Sequence, residues 1–293
     1  MSCRGESDDN GGTPDARMQT GTADAAISTD APVGMSIKSI NMGAEPAFKA
    51  PIILDSVVVV ARVTSRTQGN VWVQDQGGGE YSGIHVFCSF TSTSNPCVHN
   101  REFIDGLVPG DVISISGAFS NNDFQGRPDD WEVMTPVITK KGTKMTPVAL
   151  TVTADMVAKD KLSNEDYKKK LNATYVKIAS AITISKFQAP EYSADCTPPQ
   201  IDAGVALPDA GSVKAFDAGF EAKAGDVTIM IGMAFFDTLK VCLPDCGYCT
   251  GDSQLKDTDT FSFVQGVAYA DRRNAMDFVE IRPVTDADLP RIQ

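Results

Sequence analysis

The run from Ile52 to Val63, Ile-Ile-Leu-Asp-Ser-Val-Val-Val-Val-Ala-Arg-Val, is crowded with β-branched side chains and short of helix formers. Branching at Cβ stiffens χ1 and suits a pleated, half-buried backbone. A chain whose folded part opens this way is committed to a sheet. Further strand signals follow at short intervals. Val71-Trp72-Val73-Gln74-Asp75 alternates, which sets Val71 and Val73 on one face and Trp72 and Gln74 on the other. Gly69-Asn70 before it and Gly77-Gly78-Gly79 after it read as turns. Tyr81 to Phe90 reads as a third strand. Pro109-Gly110-Asp111 turns the chain into the alternating fourth, Val112 to Gly117, and Gly126-Arg127-Pro128-Asp129 leads into a fifth, Trp131 to Ile138. Residues 96–107, between the third and fourth strands, are expected to form a short helix.

Five short strands with an irregular segment between the third and fourth follow the order of an OB barrel. The motifs add to this. Val71-Trp72-Val73-Gln74-Asp75 resembles the apolar-aromatic-apolar-Gln-Asp second strand of OB modules in bacterial secreted proteins. Leu107-Val108-Pro109-Gly110-Asp111-Val112 resembles the entry to their fourth strand. The segment Thr146 to Val152, then Ala154-Asp155-Met156, then Glu165 to Leu171 before Tyr175-Val176-Lys177-Ile178, resembles their inter-module connector. Such modules occur in extracytoplasmic lipoproteins and beside extracellular nucleases. A second, less regular series follows: Tyr175 to Phe187, Asp226 to Phe236, Thr260 to Tyr269 and Met276 to Ile281. The expected architecture is mainly β, two tandem OB-like five-stranded barrels with short connecting helices behind a disordered tail. Its boundaries are 1–50 for the tether, 51–150 for the first module, 151–171 for a helical connector and 172–293 for the second module. An irregular insertion at 188–224, carrying three Asp-Ala-Gly triplets, is expected as a surface loop.

Compartment follows from cysteine use. Met1-Ser2-Cys3 and the polar stretch after it resemble the mature start of a bacterial lipoprotein, with Cys3 bearing the lipid. This implies membrane attachment through an N-terminal anchor and an extracytoplasmic location at the cell envelope, on the outer membrane. No run of about 18 apolar residues is present. Setting Cys3 aside leaves Cys88, Cys97, Cys196, Cys242, Cys246 and Cys249, an even number suited to disulfides. Cys88 and Cys97 flank a polar stretch and read as a loop staple. The remaining four have no pairing legible from spacing. Alternatively, Cys196, Cys242, Cys246 and Cys249 form a tetrahedral structural zinc site.

No nucleophile elbow or phosphate-binding loop is present, and the two histidines, His85 and His99, lie in a strand and a loop by this reading. Asp252, Asp257 and Asp259 cluster without the spacing of a calcium loop. The expectation is a non-enzyme with no cofactor apart from the zinc alternative. OB modules take oligonucleotides or oligosaccharides across strands two and three. That makes Trp72 and Tyr81 candidate stacking residues, and the resemblance adds Gln74 and Arg66 as polar contacts. Alternatively, Trp72 packs against the connector or the second module. A net charge of −12, spread along the chain, argues against a phosphate-tracking surface. The expected function is a non-catalytic extracytoplasmic binding or scaffolding lipoprotein with a protein or glycan partner. The alternative is a nucleic-acid- or oligosaccharide-binding accessory that uses the OB face of the first module.

Overall fold

A computed structural model describes residues 34–43, 46–65, 67–91, 95–122, 130–158, 170–188, 219–232, 255, 258–270 and 279–292. Five strands, β1 (Pro51–Thr64), β2 (Gln68–Gln74), β3 (Gly83–Ser89), β4 (Asp111–Asn122) and β5 (Asp130–Lys144), close a barrel in the order β1-β2-β3-β5-β4. β1 runs antiparallel to both β2 and β4, and β3 runs parallel to β5. One long strand serves two neighbours because it bends. Its register breaks between Leu54 and Val57, where Ser56 takes φ 58°, and again between Val59 and Ala61. Val71 and Val73 point into the barrel with Val57, Val59, Ile84, Val86, Ile113 and Ile115, as the alternation requires. A 3₁₀ turn (Pro96–Asn100) and helix α1 (Arg101–Asp105) occupy the step from β3 to β4. The Cys88–Cys97 disulfide, with Cα atoms 5.9 Å apart, ties this step to β3.

Two local expectations fail in the barrel. Gly69-Asn70 is not a turn but lies within β2, and the reversal falls just before it. The glycine is needed for space: a Cβ on Gly69 would meet the Phe90 ring at 2.8 Å and Ile104 at 3.2 Å. Tyr81 is not in a strand. It sits in the turn before β3 with φ 63°.

The remaining strands form one eight-stranded sheet. They are β6 (Leu150–Thr151), β7 (Tyr175–Ile178), β8 (Ile182–Gln188), β9 (Gly219–Ala224), β10 (Val227–Gly232), β11 (Thr260–Phe261), β12 (Val264–Ala270) and β13 (Val279–Arg282), in the order β11-β8-β9-β10-β13-β12-β7-β6. Phe220, Ala222, Ile229, Ile231, Val279 and Ile281 alternate onto its buried face, joined by Val176, Ile178, Ile184 and Val264. The single strand expected over Tyr175–Phe187 is broken between Ile178 and Ile182, so β7 pairs with β12 while β8 pairs with β9. Of the span 188–224 expected as a surface loop, Gly219–Ala224 is instead a strand of the sheet, and residues 189–218 lie outside the described residues. The chain is mainly β.

Part of the span 1–50 expected as a disordered tether is ordered. Ile37–Asn41 is helical, with Ile37 and Ile40 fully buried in the barrel's core cluster. Ser36 caps the helix through Ser39 N–H. Ile37 and Lys38 N–H donate to the Asp75 carboxylate at 3.1 and 2.9 Å, and Asn41 Nδ2 donates to the carbonyls of Tyr81 and Gly83. Burial pushes the Asp75 carboxyl above its usual range, against the pull of those two N–H groups and the charge of Lys38.

Candidate functional site

The other face of β2 carries Trp72 and Gln74, the residues expected from the sequence to meet a ligand. Trp72 lies opposite His85 on β3, and His85 lies opposite Glu132 on β5. Because the period of a strand is two, these three project from the same face as Gln74. The Trp72 and His85 rings stack at 4.9 Å with planes 22° apart. His85 Nδ1 sits 3.2 Å from a Glu132 carboxylate oxygen, and Nε2 sits 3.0 Å from the Asn70 side-chain oxygen. Both ring nitrogens are engaged, and the ring face is covered by Trp72.

The row is closed over by the second sheet. Tyr269 on β12 meets Trp72 edge-to-face at 6.4 Å. The Arg282 guanidinium lies 3.6 Å over the Tyr269 ring and binds Glu280 at 2.5 Å. Arg282 is 1% exposed, a buried cation that, among the described residues, is held by the Glu280 carboxylate and the Tyr269 ring face. Val60, Ala61 and Trp72 from the barrel form one apolar cluster with Ala173, Tyr175, Val267 and Val284. Trp72 is 2% exposed. The backbones approach closely beside it: a Cβ on Gly83 would lie 2.1 Å from the Ala173 carbonyl oxygen. Next to this joint, the Tyr175 hydroxyl donates to Asp288 at 2.8 Å and accepts from Gln265 at 2.6 Å. Burial first, then the Asp288 charge, pushes the Tyr175 hydroxyl far above its ordinary range.

The sequence-predicted ligand face is therefore corrected. Trp72 faces the second sheet, the alternative weighed for it above. Gln74 is fully buried and donates to the Val148 carbonyl at 3.3 Å. Tyr81 is half-buried, its N–H bonded to the Lys170 carbonyl. The face expected from the sequence to stack bases or sugars is covered at Trp72 by residues of the second sheet and at Gln74 by Val148. Cys88 and Cys97 are brought together. Arg66, Cys3, Cys196, Cys242, Cys246 and Cys249 lie outside the described residues, as do Asp252 and Asp257. Among the described residues no group of three or more His, Cys, Asp or Glu side chains converges as a metal site.

Sequence reasoning missed His85, Glu132, Asn70, Glu280 and Arg282 as members of one seam. A signal existed for part of it. A charged pair at Glu280 and Arg282 alternates with the inward Val279 and Ile281 and so must share one face of its strand.

No protein-family model matches the chain, and no curated protein matches it. Several solved structures show a distant likeness. A murine DNA binding protein bound with double-stranded DNA is 10% identical, with 79% of this chain and 90% of that one covered and a TM-score of 0.31. A replication protein A heterotrimer bound to single-stranded DNA is 10% identical, with 84% and 57% covered and a TM-score of 0.30. A putative aspartyl-tRNA synthetase from Leishmania major Friedlin is 8% identical, with 47% and 26% covered and a TM-score of 0.30, so the chain spans about a quarter of that synthetase.

Proposed function

We propose that the chain is a non-catalytic scaffolding lipoprotein of the cell envelope whose two OB-type modules are locked into one rigid body. The observation that carries this is the burial of Trp72 against Ala173, Tyr175, Val267 and Val284. The face through which an OB module takes a ligand is here used to join the barrel to the second sheet. The sheet's strand order supports the tandem reading. With β7 and β8 taken as halves of one strand, β8-β9-β10-β13-β12-β7 repeats the barrel's β1-β2-β3-β5-β4 circuit, parallel third-to-fifth pairing included. Cys3 ahead of a polar stretch and the Cys88–Cys97 disulfide support lipid anchoring in an oxidising compartment, on the outer membrane. The second reading, a nucleic-acid- or oligosaccharide-binding accessory, is disfavoured by the filled face and the net charge of −12.

Small-angle X-ray scattering and a salt titration with oligothymidine test the reading together. The expected result is a scattering curve of one rigid body, with no binding at low salt. Binding that weakens steeply as salt rises overturns it in favour of the accessory, since that slope counts phosphates neutralised.

A further inference from the structure

Exposed apolar side chains gather around the turn between β2 and β3, where the N-terminal helix meets the barrel. Helix Ile37–Asn41 docks on one side of that turn, through Asp75 and the carbonyls of Tyr81 and Gly83. The segment after β5 docks on another. Its Val148 carbonyl accepts from Gln74 and lies 2.5 Å from where a Cβ on Gly78 would sit. Met42, at the end of the helix, is 63% exposed, and Met145 and Val148 are 37% and 47% exposed. Single exposed apolar side chains are ordinary on a surface, but three around one turn form a candidate contact face.

Lysines surround them. Lys38 is exposed on the helix, and Lys140, Lys141 and Lys144 are exposed at the end of β5. Asp111, fully buried, is shared by Lys140 and Lys144. Asp55 pairs with Lys141, beside Ser56, whose carbonyl accepts from Gln76 in the turn. Glu80 in the turn pairs with Lys170, and Asp75 accepts from the helix. Around this turn the described residues thus set five lysines against four carboxylates, a balance of +1. The whole chain carries −12, so its acidic excess lies elsewhere.

We propose that this face rests on a phospholipid surface with anionic headgroups, with Met42, Met145 and Val148 entering the headgroup boundary and Lys38 and Lys144 meeting phosphates. The proposal rests on the lipid-anchored reading and adds an orientation to it. Cys3 and Gly34 are 31 positions apart, a length of chain that reaches at most about 100 Å however it folds. Anchoring therefore presents the body to the surface at high effective concentration, and a face too small to hold a free protein suffices. An anionic surface attracts the lysines of this face and repels the acidic remainder of the chain, which turns this face toward the lipid.

The test is flotation of the full chain, expressed without lipid, with concentrated vesicles of phosphatidylcholine containing about a third phosphatidylglycerol, at low salt. Partitioning is expected to fall about tenfold in Met42→Ser/Met145→Ser/Val148→Ser and about fivefold in Lys38→Gln. It should fall likewise on vesicles without phosphatidylglycerol. Ile292→Ser, at a side chain 50% exposed beside β11, should leave it unchanged. Thermal unfolding by circular dichroism checks each variant. If the triple variant does not fold, Met42→Ser alone decides, with a fall of about twofold or more expected. No flotation of the parent chain, or equal flotation of the triple variant, overturns the proposal. So does a triple variant that loses self-association in sedimentation, because the face then belongs to a second copy. Labelling of Cys3 with palmitate in cells tests the anchor separately. A labelled chain without face-dependent flotation overturns this face alone. Face-dependent flotation of a chain that takes no label overturns the anchor and leaves the face.

Discussion

Replacing Trp72 by alanine removes the largest side chain in the joint between barrel and second sheet. A tryptophan buries roughly 150–250 Å², which at about 25 cal/mol per Å² corresponds to ~4–6 kcal/mol. Allowing for compactness of the unfolded chain brings this to ~3–5 kcal/mol, within the usual cost of a buried Trp→Ala change of about 3–5 kcal/mol. Loss of the His85 stack and the Tyr269 edge contact falls inside the same figure. A domain of ordinary stability, about 5–15 kcal/mol, survives that loss. Its form is more telling than its size. Trp72 touches Ala173, Tyr175, Val267 and Val284, which belong to the far side of the joint. The barrel keeps its own core of Val57, Val59, Val71, Val73, Ile84 and Val86. Urea unfolding followed by circular dichroism should therefore change from one cooperative transition to two. Trp131→Ala is the control, since that ring lies against Phe119 on the barrel itself; it should lower stability while leaving a single transition. A Trp72→Ala protein that loses under about 1 kcal/mol, well short of a cavity cost, or that still unfolds in one step with an unchanged slope, would refute the argument that this residue couples the two halves.

Three further outcomes can be checked. Reduction of Cys88–Cys97, which closes a loop of sequence separation 9, should lower the melting temperature by the equivalent of about 2.5 kcal/mol on the chain-entropy account. An unchanged melting temperature with both thiols verified free counts against the staple. Asp111 should contribute to acid stability. Burial pushes its carboxyl up, but the Lys140 bond, the Val108 N–H and the charges of Lys140 and Lys144 outweigh this and hold it below its ordinary value of 3.8. Its contribution is thus complete above that value and lost as pH falls through the lowered one. Denaturation from pH 2 to 6 should show a shallower acid limb in Asp111→Asn, and an identical limb contradicts the assignment. Gly83→Ala should open the joint at a cost of roughly 1–3 kcal/mol, the range for overpacking, because its Cβ would collide with backbone atoms of Ala173 and Thr174 rather than with a side chain that can yield. A variant as stable as the parent by urea unfolding removes that close approach from the account.

How much of this was legible depends on the range of the interaction involved. Val71 and Val73 turn inward because alternation is local, and the step between β3 and β4 was readable from its prolines, polar residues and paired cysteines. Gly69 was misread because glycine serves two ends, a turn or a close approach, and only Phe90 and Ile104 in space separate them. The break between Ile178 and Ile182 carries no proline or glycine. It follows from β7 and β8 pairing with different strands, which no local pattern records. Helix Ile37–Asn41 had a local signal, a Ser36 cap before Ile37 and Ile40, but a polar flank obscured it. Trp72 was identified as consequential, yet its fate turned on residues far downstream. The Gln74-Asp75 pair, expected through resemblance to belong to a binding strand, holds the segment after β5 through Val148 and the N-terminal helix through its backbone N–H groups.

That last arrangement has a mechanical consequence. The chain arriving from the N-terminal side does not hand a load to the end of β1 alone. It is fastened at Met35 to Ile53, at Ile37 and Lys38 to Asp75, and at Asn41 to Tyr81 and Gly83. Tension along it is shared among several bonds that must yield together, and it is delivered to the loop between β2 and β3. Gly83 backs directly onto Ala173, so a load entering there passes next to the seam between the two halves.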